Sequence, residues 1–60
     1  MENQFVTDYQ KQSIISTILI LQDAIKKDYA KFTFENLINC EYSNLEGIRD
    51  LKLKIYNDEH

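Results

Sequence analysis

The chain carries the run Ile14-Ile15-Ser16-Thr17-Ile18-Leu19-Ile20-Leu21 within a segment that repeats apolar residues at helical spacing. One set of residues recurs at steps of three, four or seven, as on a single helix face: Ile14, Ile18, Leu21, Ile25 and Phe32. A second set points away from that face: Ile15, Leu19 and Ile20. The first helix therefore has more apolar surface than one small core needs, and we expect the second set to contact another chain.

A chain of 60 residues encloses at most one core, so residues 1–60 are expected to form a single domain. Apolar burial in so short a chain barely offsets about 1.5 kcal/mol of conformational entropy per residue, and small domains commonly add disulfides, a metal or oligomerisation. Cys40 is the only cysteine and no histidine lies within ligand spacing of it, which leaves association. We expect a homodimer, with folding on a partner protein as the alternative.

The first helix is predicted to begin at Thr7, because Thr7 and Gln10 match a capping box. Its apolar pattern continues to about Lys31, which makes the helix long for a globular domain. The β-branched residues of 14–21 could by themselves form a buried strand. The continuation of the pattern through Phe32 favours a helix.

Two shorter helices are predicted after the first. Thr33 is the candidate N-cap of a helix that runs through Glu41, and Ser43 with Glu46 signals the start of a third helix. The chain has no proline and one glycine, which favours helices joined by short connections. The predicted fold class is all-α, a long N-terminal helix followed by two shorter helices in a homodimeric helical bundle. The predicted core comprises Ile14, Ile18, Leu21, Ile25, Phe32, Phe34, Leu37, Ile38, Leu45, Ile48, Leu51 and Ile55.

The C-terminal segment 51–55 alternates leucine or isoleucine with lysine and could form a strand. A lone strand has nothing to pair with in so short a chain, except its copy in a second subunit, so we favour a helix. The tail 57–60 is expected to fray, because acidic residues oppose the helix dipole at a C-terminus.

The formal net charge of −3 and the isoelectric point near 4.9 oppose binding to phosphate backbones and anionic membranes. No apolar run approaches the roughly 20 residues that span a bilayer, and residues 1–5 lack the basic region of a secretory signal. We expect a cytoplasmic protein that does not act on nucleic acids or membranes.

Groups that could perform catalysis or bind a metal are scarce. His60, the only histidine, stands at the end of the sequence, where no neighbouring groups hold it. Cys40 has no histidine placed to activate it as a nucleophile, so we interpret it as a small residue at the margin of the core. We expect no enzyme activity, no cofactor and no metal site.

Two groups of residues are candidates for recognition. Tyrosine offers a large contact area at low entropy cost, which makes Tyr9 and Tyr42 candidate interface residues, whereas Tyr29 falls beside the predicted core face. Acidic residues of the second half could form a negative surface that imitates nucleic-acid phosphates, although solvated helix faces are the simpler interpretation: Glu35, Glu41, Glu46 and Asp50.

The expected function is that of a small acidic protein-interaction module, a regulatory binder or inhibitor of another protein. An antagonist of a transcription regulator, an antitoxin-like factor and an inhibitor carried by a mobile element all fit. Two alternatives remain open. One is a structural assembly subunit. The other is a helix-turn-helix reader of DNA within residues 33–56, whose third helix would offer Asn44, Arg49, Lys52 and Lys54.

Overall fold

The computed structural model describes residues 7–27 and 31–59, and these residues form three α-helices. Helix α1 spans Asp8–Ala24, α2 spans Phe34–Ile38 and α3 spans Tyr42–Glu59. The all-α prediction with a long first helix is confirmed for the described residues. The third helix was expected to be shorter, which is wrong, since α3 has 18 residues and α1 has 17. The expectations for Tyr29 and His60 lie outside the described residues.

The N-terminus of α1 is the predicted capping box. The Thr7 hydroxyl accepts a hydrogen bond from the Gln10 backbone N–H at 3.1 Å, and the Gln10 side chain accepts one from the Thr7 N–H at 3.0 Å. Asp8 adds a negative charge in the first turn, where the helix dipole favours it. These contacts satisfy two backbone donors that would otherwise lack an intrahelical acceptor.

Helix α1 ends at Ala24, so the prediction that it continues to about Lys31 is wrong. Ile25 adopts an extended backbone, and its N–H makes the last helical bond, to the Leu21 carbonyl at 3.0 Å. The next two N–H groups, of Lys26 and Lys27, donate to the two carboxylate oxygens of Glu59 at 3.0 Å each. The Glu59 side chain thus accepts two N–H groups that would bond to backbone carbonyls if α1 continued.

Helix α2 is a short capped turn on the path back along α1. Thr33 is its N-cap, as predicted, and it exchanges hydrogen bonds of 3.2 Å with Asn36. The helix ends at Ile38 rather than Glu41. The chain entering α2 is attached to α1 by the Gln22 side chain, which bonds to both the N–H and the carbonyl of Phe32 at 2.8 and 2.9 Å.

Helix α3 begins at Tyr42, one residue before the predicted cap. The Glu41 carbonyl accepts the N–H of Leu45 at 3.0 Å, so Ser43 already lies within the first turn and its predicted capping box with Glu46 is wrong. The helix interpretation of 51–55 is confirmed. Residues 57–59 belong to α3, so the expected fraying of this part of the tail is wrong.

Helices α1 and α3 run parallel. Near their N-termini, Tyr9 and Tyr42 line the same groove, and just past their C-termini Lys26 and Lys27 bond to Glu59, the last residue of α3. Helix α3 therefore begins at the same end of the pair as α1. Within residues 7–27 and 31–59, no helix combines the length and apolar character that a bilayer crossing requires.

The core lies where the three helices meet. Of the twelve predicted core residues, five are buried, five are partly buried and two are exposed, and Ile15, which was predicted to contact another chain, is buried as well. The fully buried or nearly buried apolar side chains are Ile14, Ile15, Ile18, Ile25, Leu37 and Leu45. The partly buried members are Leu21, Phe32, Ile38, Ile48 and Ile55. Phe34 and Leu51 were expected in the core, which is wrong, because both are exposed. Each fully buried aliphatic side chain stabilises the fold by about 2 kcal/mol.

Lys52 is buried, with 2% of its surface exposed. Its Nζ lies 5.4 Å from the centroid of the Phe32 ring, within range of a cation–π interaction. Its neighbours Leu51 and Leu53 are exposed. The segment 51–55 thus turns Lys52 inward and its two leucines outward, the reverse of what hydropathy alone predicts for these three residues.

Candidate protein-binding face

Four side chains define an open face of the α1–α3 pair, two on each helix. Tyr9 and Ile20 belong to α1 and are separated by eleven residues, and Tyr42 and Leu53 belong to α3 with the same separation. Eleven residues make three helical turns and about 16 Å, so each pair lies on one side of its helix. Because the helices are parallel and both tyrosines line one groove, the four residues mark the corners of one surface, named here the α1–α3 face.

Apolar side chains on this face are exposed to solvent. Tyr9 is 80% exposed, Ile20 68% and Leu53 42%, whereas Tyr42 is half-buried and packs against the core. Among residues 7–27 and 31–59, five large hydrophobic residues are exposed, and three of them therefore lie here; the other two are Phe34 and Leu51.

A groove of about 190 Å³ runs between the helices at the tyrosine end of the face. It is lined by Tyr9, Gln10, Ser13, Ile14, Thr17, Tyr42 and Arg49. On the α1 side, Ser13 and Thr17 fall between Tyr9 and Ile20, and the Thr17 hydroxyl donates to the Ser13 carbonyl at 3.1 Å. These short side chains leave room for another backbone to approach α1 closely.

Arg49 lines the groove with its charge already engaged. Its Nε and Nη2 donate to Oδ1 of Asp50 at 3.1 and 2.9 Å. The hydrogen bond with Asp50 and the charge of that carboxylate raise the pKa of Arg49, and Glu46 and Tyr42 add to the effect, while partial desolvation opposes it. The guanidinium therefore remains positive and is directed towards its own helix.

The four acidic residues predicted as a surface are all exposed, but they do not form one patch by helix position. Glu46 and Asp50 lie one turn apart on α3, on the side that carries Tyr42 and Leu53. Glu35 belongs to α2, and Glu41 precedes α3. Only the first two thus border the α1–α3 face.

Two of the residues predicted to contact a second subunit belong to the intrachain core. Ile15 is fully buried against its own chain, and Leu19 is partly buried against the same cluster. The reason is that Leu37 of α2 and Leu45 of α3 belong to the same buried cluster and supply partners for the apolar excess of α1. Ile20 alone keeps the exposure that the prediction required.

Sequence reasoning missed Leu53 and the alignment of the two helices. The signal was present as the equal spacing of Tyr9 to Ile20 and Tyr42 to Leu53. This equal spacing could be interpreted only once the helices were known to be parallel. In an antiparallel pair, Tyr9 and Tyr42 would lie at opposite ends of the surface.

The DNA-reading alternative depends on cations of the third helix. Lys52 is buried against Phe32, and Arg49 is bonded to Asp50, so neither presents a charge to an external phosphate in this structure.

Cys40 is half-buried at the core margin, as predicted, and its thiol donates to the Asn36 carbonyl at 3.3 Å. Within the described ranges, His, Cys, Asp and Glu side chains form no group of three suited to a metal ion.

Comparison with protein-family models, with curated proteins and with solved structures finds no match to this chain.

Proposed function

We propose that this chain is a protein-interaction module, which binds one partner protein across the α1–α3 face and regulates or inhibits it by covering the partner's own contact surface. The observation that carries the proposal is the exposure of Tyr9, Ile20 and Leu53 on the α1–α3 face, at one end of which Tyr9 and Tyr42 line a groove. Exposed large apolar side chains that share one surface with polar ones are characteristic of interaction sites.

The composition of the face supports protein recognition. Tyrosine and arginine are enriched where binding energy concentrates, and a groove between two helices suits a third helix laid into it. Such a face needs no catalytic group to act, since occupying a regulator's surface is enough to block it.

A matched pair of substitutions tests the proposal. Leu53→Gln removes an apolar corner of the face, and Leu51→Gln removes a leucine that is also exposed, 60% against 42% for Leu53, from another side of α3. Proteins captured from host cells by the wild type and by Leu51→Gln, but lost with Leu53→Gln, are partners of this face, and their activity is then measured with and without the chain. Identical capture by both variants would contradict the proposal.

Self-association is the competing use of the same surface. The predicted homodimer had three apolar contacts on α1, of which Ile20 remains exposed. Sedimentation of the wild type over a wide concentration range distinguishes the two uses, because a dimer through this face would dissociate in Leu53→Gln but not in Leu51→Gln.

A further inference from the structure

We propose that the occupant of the α1–α3 face is a basic amphipathic helix, about three turns long, whose cationic side chain meets Glu46 between two apolar contacts. This inference rests on the proposed function and assigns the chemistry of the partner. It combines the length of the face, its shape and its charge.

The length and shape specify a helix. The apolar corners are about 16 Å apart along each axis, the length of eleven helical residues. Ser13 and Thr17, whose side chains are short, line the groove on the α1 side, and Ile14 also lines it. A helix with apolar residues at its two ends would therefore contact Tyr9 with Tyr42 at one end, and Ile20 with Leu53 at the other.

The charge specifies a basic residue. Along the α3 edge, Tyr42 is followed by Glu46 after one turn and by Leu53 after two more, so a carboxylate lies between the two apolar corners. Asp50 forms a salt bridge with Arg49 of its own helix at 2.9 Å, whereas Glu46 is an exposed carboxylate that acts on Arg49 only through its charge. An arginine or lysine of the partner would pair with it and place its stem near the tyrosine rings.

A second copy of this chain fits the face less well. The α1 edge offers Ser13 and Thr17 rather than cations, and the chain has a net charge of −3, so two copies meeting here would bring like charges together. Complementary charge also raises the association rate and discriminates against acidic partners.

Selection from a displayed library of amphipathic helices tests the inference. The library is selected on the wild-type chain and counter-selected on Leu53→Gln, so that retained helices depend on the face. We expect these helices to carry a net positive charge, with lysine or arginine near the middle. Face-dependent helices that are neutral or acidic, or the absence of any face-dependent helix, would overturn the inference; the proposed function is overturned only if capture from host cells does not depend on Leu53.

A matched pair of charge variants locates the contact. Glu46→Gln and Glu35→Gln change the net charge equally, but only Glu46 borders the face, since Glu35 lies on α2. For a selected basic helix, fluorescence anisotropy should give about tenfold weaker binding to Glu46→Gln with a reduced salt dependence, and unchanged binding to Glu35→Gln. Equal weakening by both variants would mean general attraction to an acidic protein, and would overturn the assignment.

Discussion

The carboxylate of Glu59 accepts the backbone N–H of Lys26 at 3.0 Å, although the two residues are 33 positions apart. Its other oxygen accepts the N–H of Lys27, so one side chain closes the end of α1 and joins it to the end of α3. Tyr9 and Tyr42, at the opposite ends of the helices, are also 33 positions apart and line one groove. The same offset at both ends fixes the parallel alignment from which the α1–α3 face arises.

Replacement of Glu59 by alanine should destabilise the chain by about 1 kcal/mol, because two backbone donors at the end of α1 lose a charged acceptor and are left to water. Asp58→Ala is the matched control, since Asp58 is the exposed acidic neighbour. Urea unfolding followed by circular dichroism measures both. Equal stability of the two variants would show that the two hydrogen bonds to the Glu59 carboxylate contribute nothing to folding.

Replacement of Lys52 by alanine should cost about 2 kcal/mol, because burial of its aliphatic stem is worth about 0.8 kcal/mol per methylene and its contact with the Phe32 ring is lost as well. Lys54→Ala removes the same side chain from an exposed position and should change stability by less than about 0.5 kcal/mol. Thermal melts compare the two. A Lys52→Ala variant as stable as Lys54→Ala would contradict the buried position.

The local signals in the sequence predicted the helix starts well and the helix ends poorly. The capping boxes at Thr7 and Thr33 are formed by residues three positions apart, so they can be recognised from sequence. The end of α1 depends on Glu59, more than thirty residues away, and no local sequence pattern predicts that the helix ends at this position. Helix α3 starts before Ser43 because the Glu41 carbonyl already accepts a helical bond, independently of any side-chain cap.

The candidate site was only partly predictable for a similar reason. Exposure of Tyr9 and Ile20 follows from their position opposite the main apolar face of α1, and sequence reasoning found both. Ile15 was assigned to a subunit contact because the positions of α2 and α3 were unknown, and Leu37 and Leu45 of these helices belong to the same buried cluster as Ile15. Lys52 rather than the predicted Leu51 is the buried residue of this segment, since the Phe32 ring accepts a cation where hydropathy would place a leucine.

Replacement of Gly47 by alanine should stabilise the chain by about 0.5 to 1 kcal/mol. The glycine lies inside α3 with an ordinary negative φ, and a Cβ added there would meet nothing within 4 Å. Alanine therefore gains helix propensity without a steric cost. Chemical unfolding provides the measurement, and a loss of stability would mean that another surface covers this glycine in solution.

Ile15→Val and Ile20→Val distinguish the core side of α1 from the face. Valine at Ile15, which has 0% of its surface exposed, should cost about 1 kcal/mol because one buried methylene is removed, whereas at Ile20, which is 68% exposed, it should cost less than about 0.5 kcal/mol. Both variants have the same change in helix propensity, so the difference between them reports burial alone. Unfolding is measured at two protein concentrations, because a contact of Ile15 between subunits would make its cost depend on concentration, while an intrachain contact gives the same cost at both.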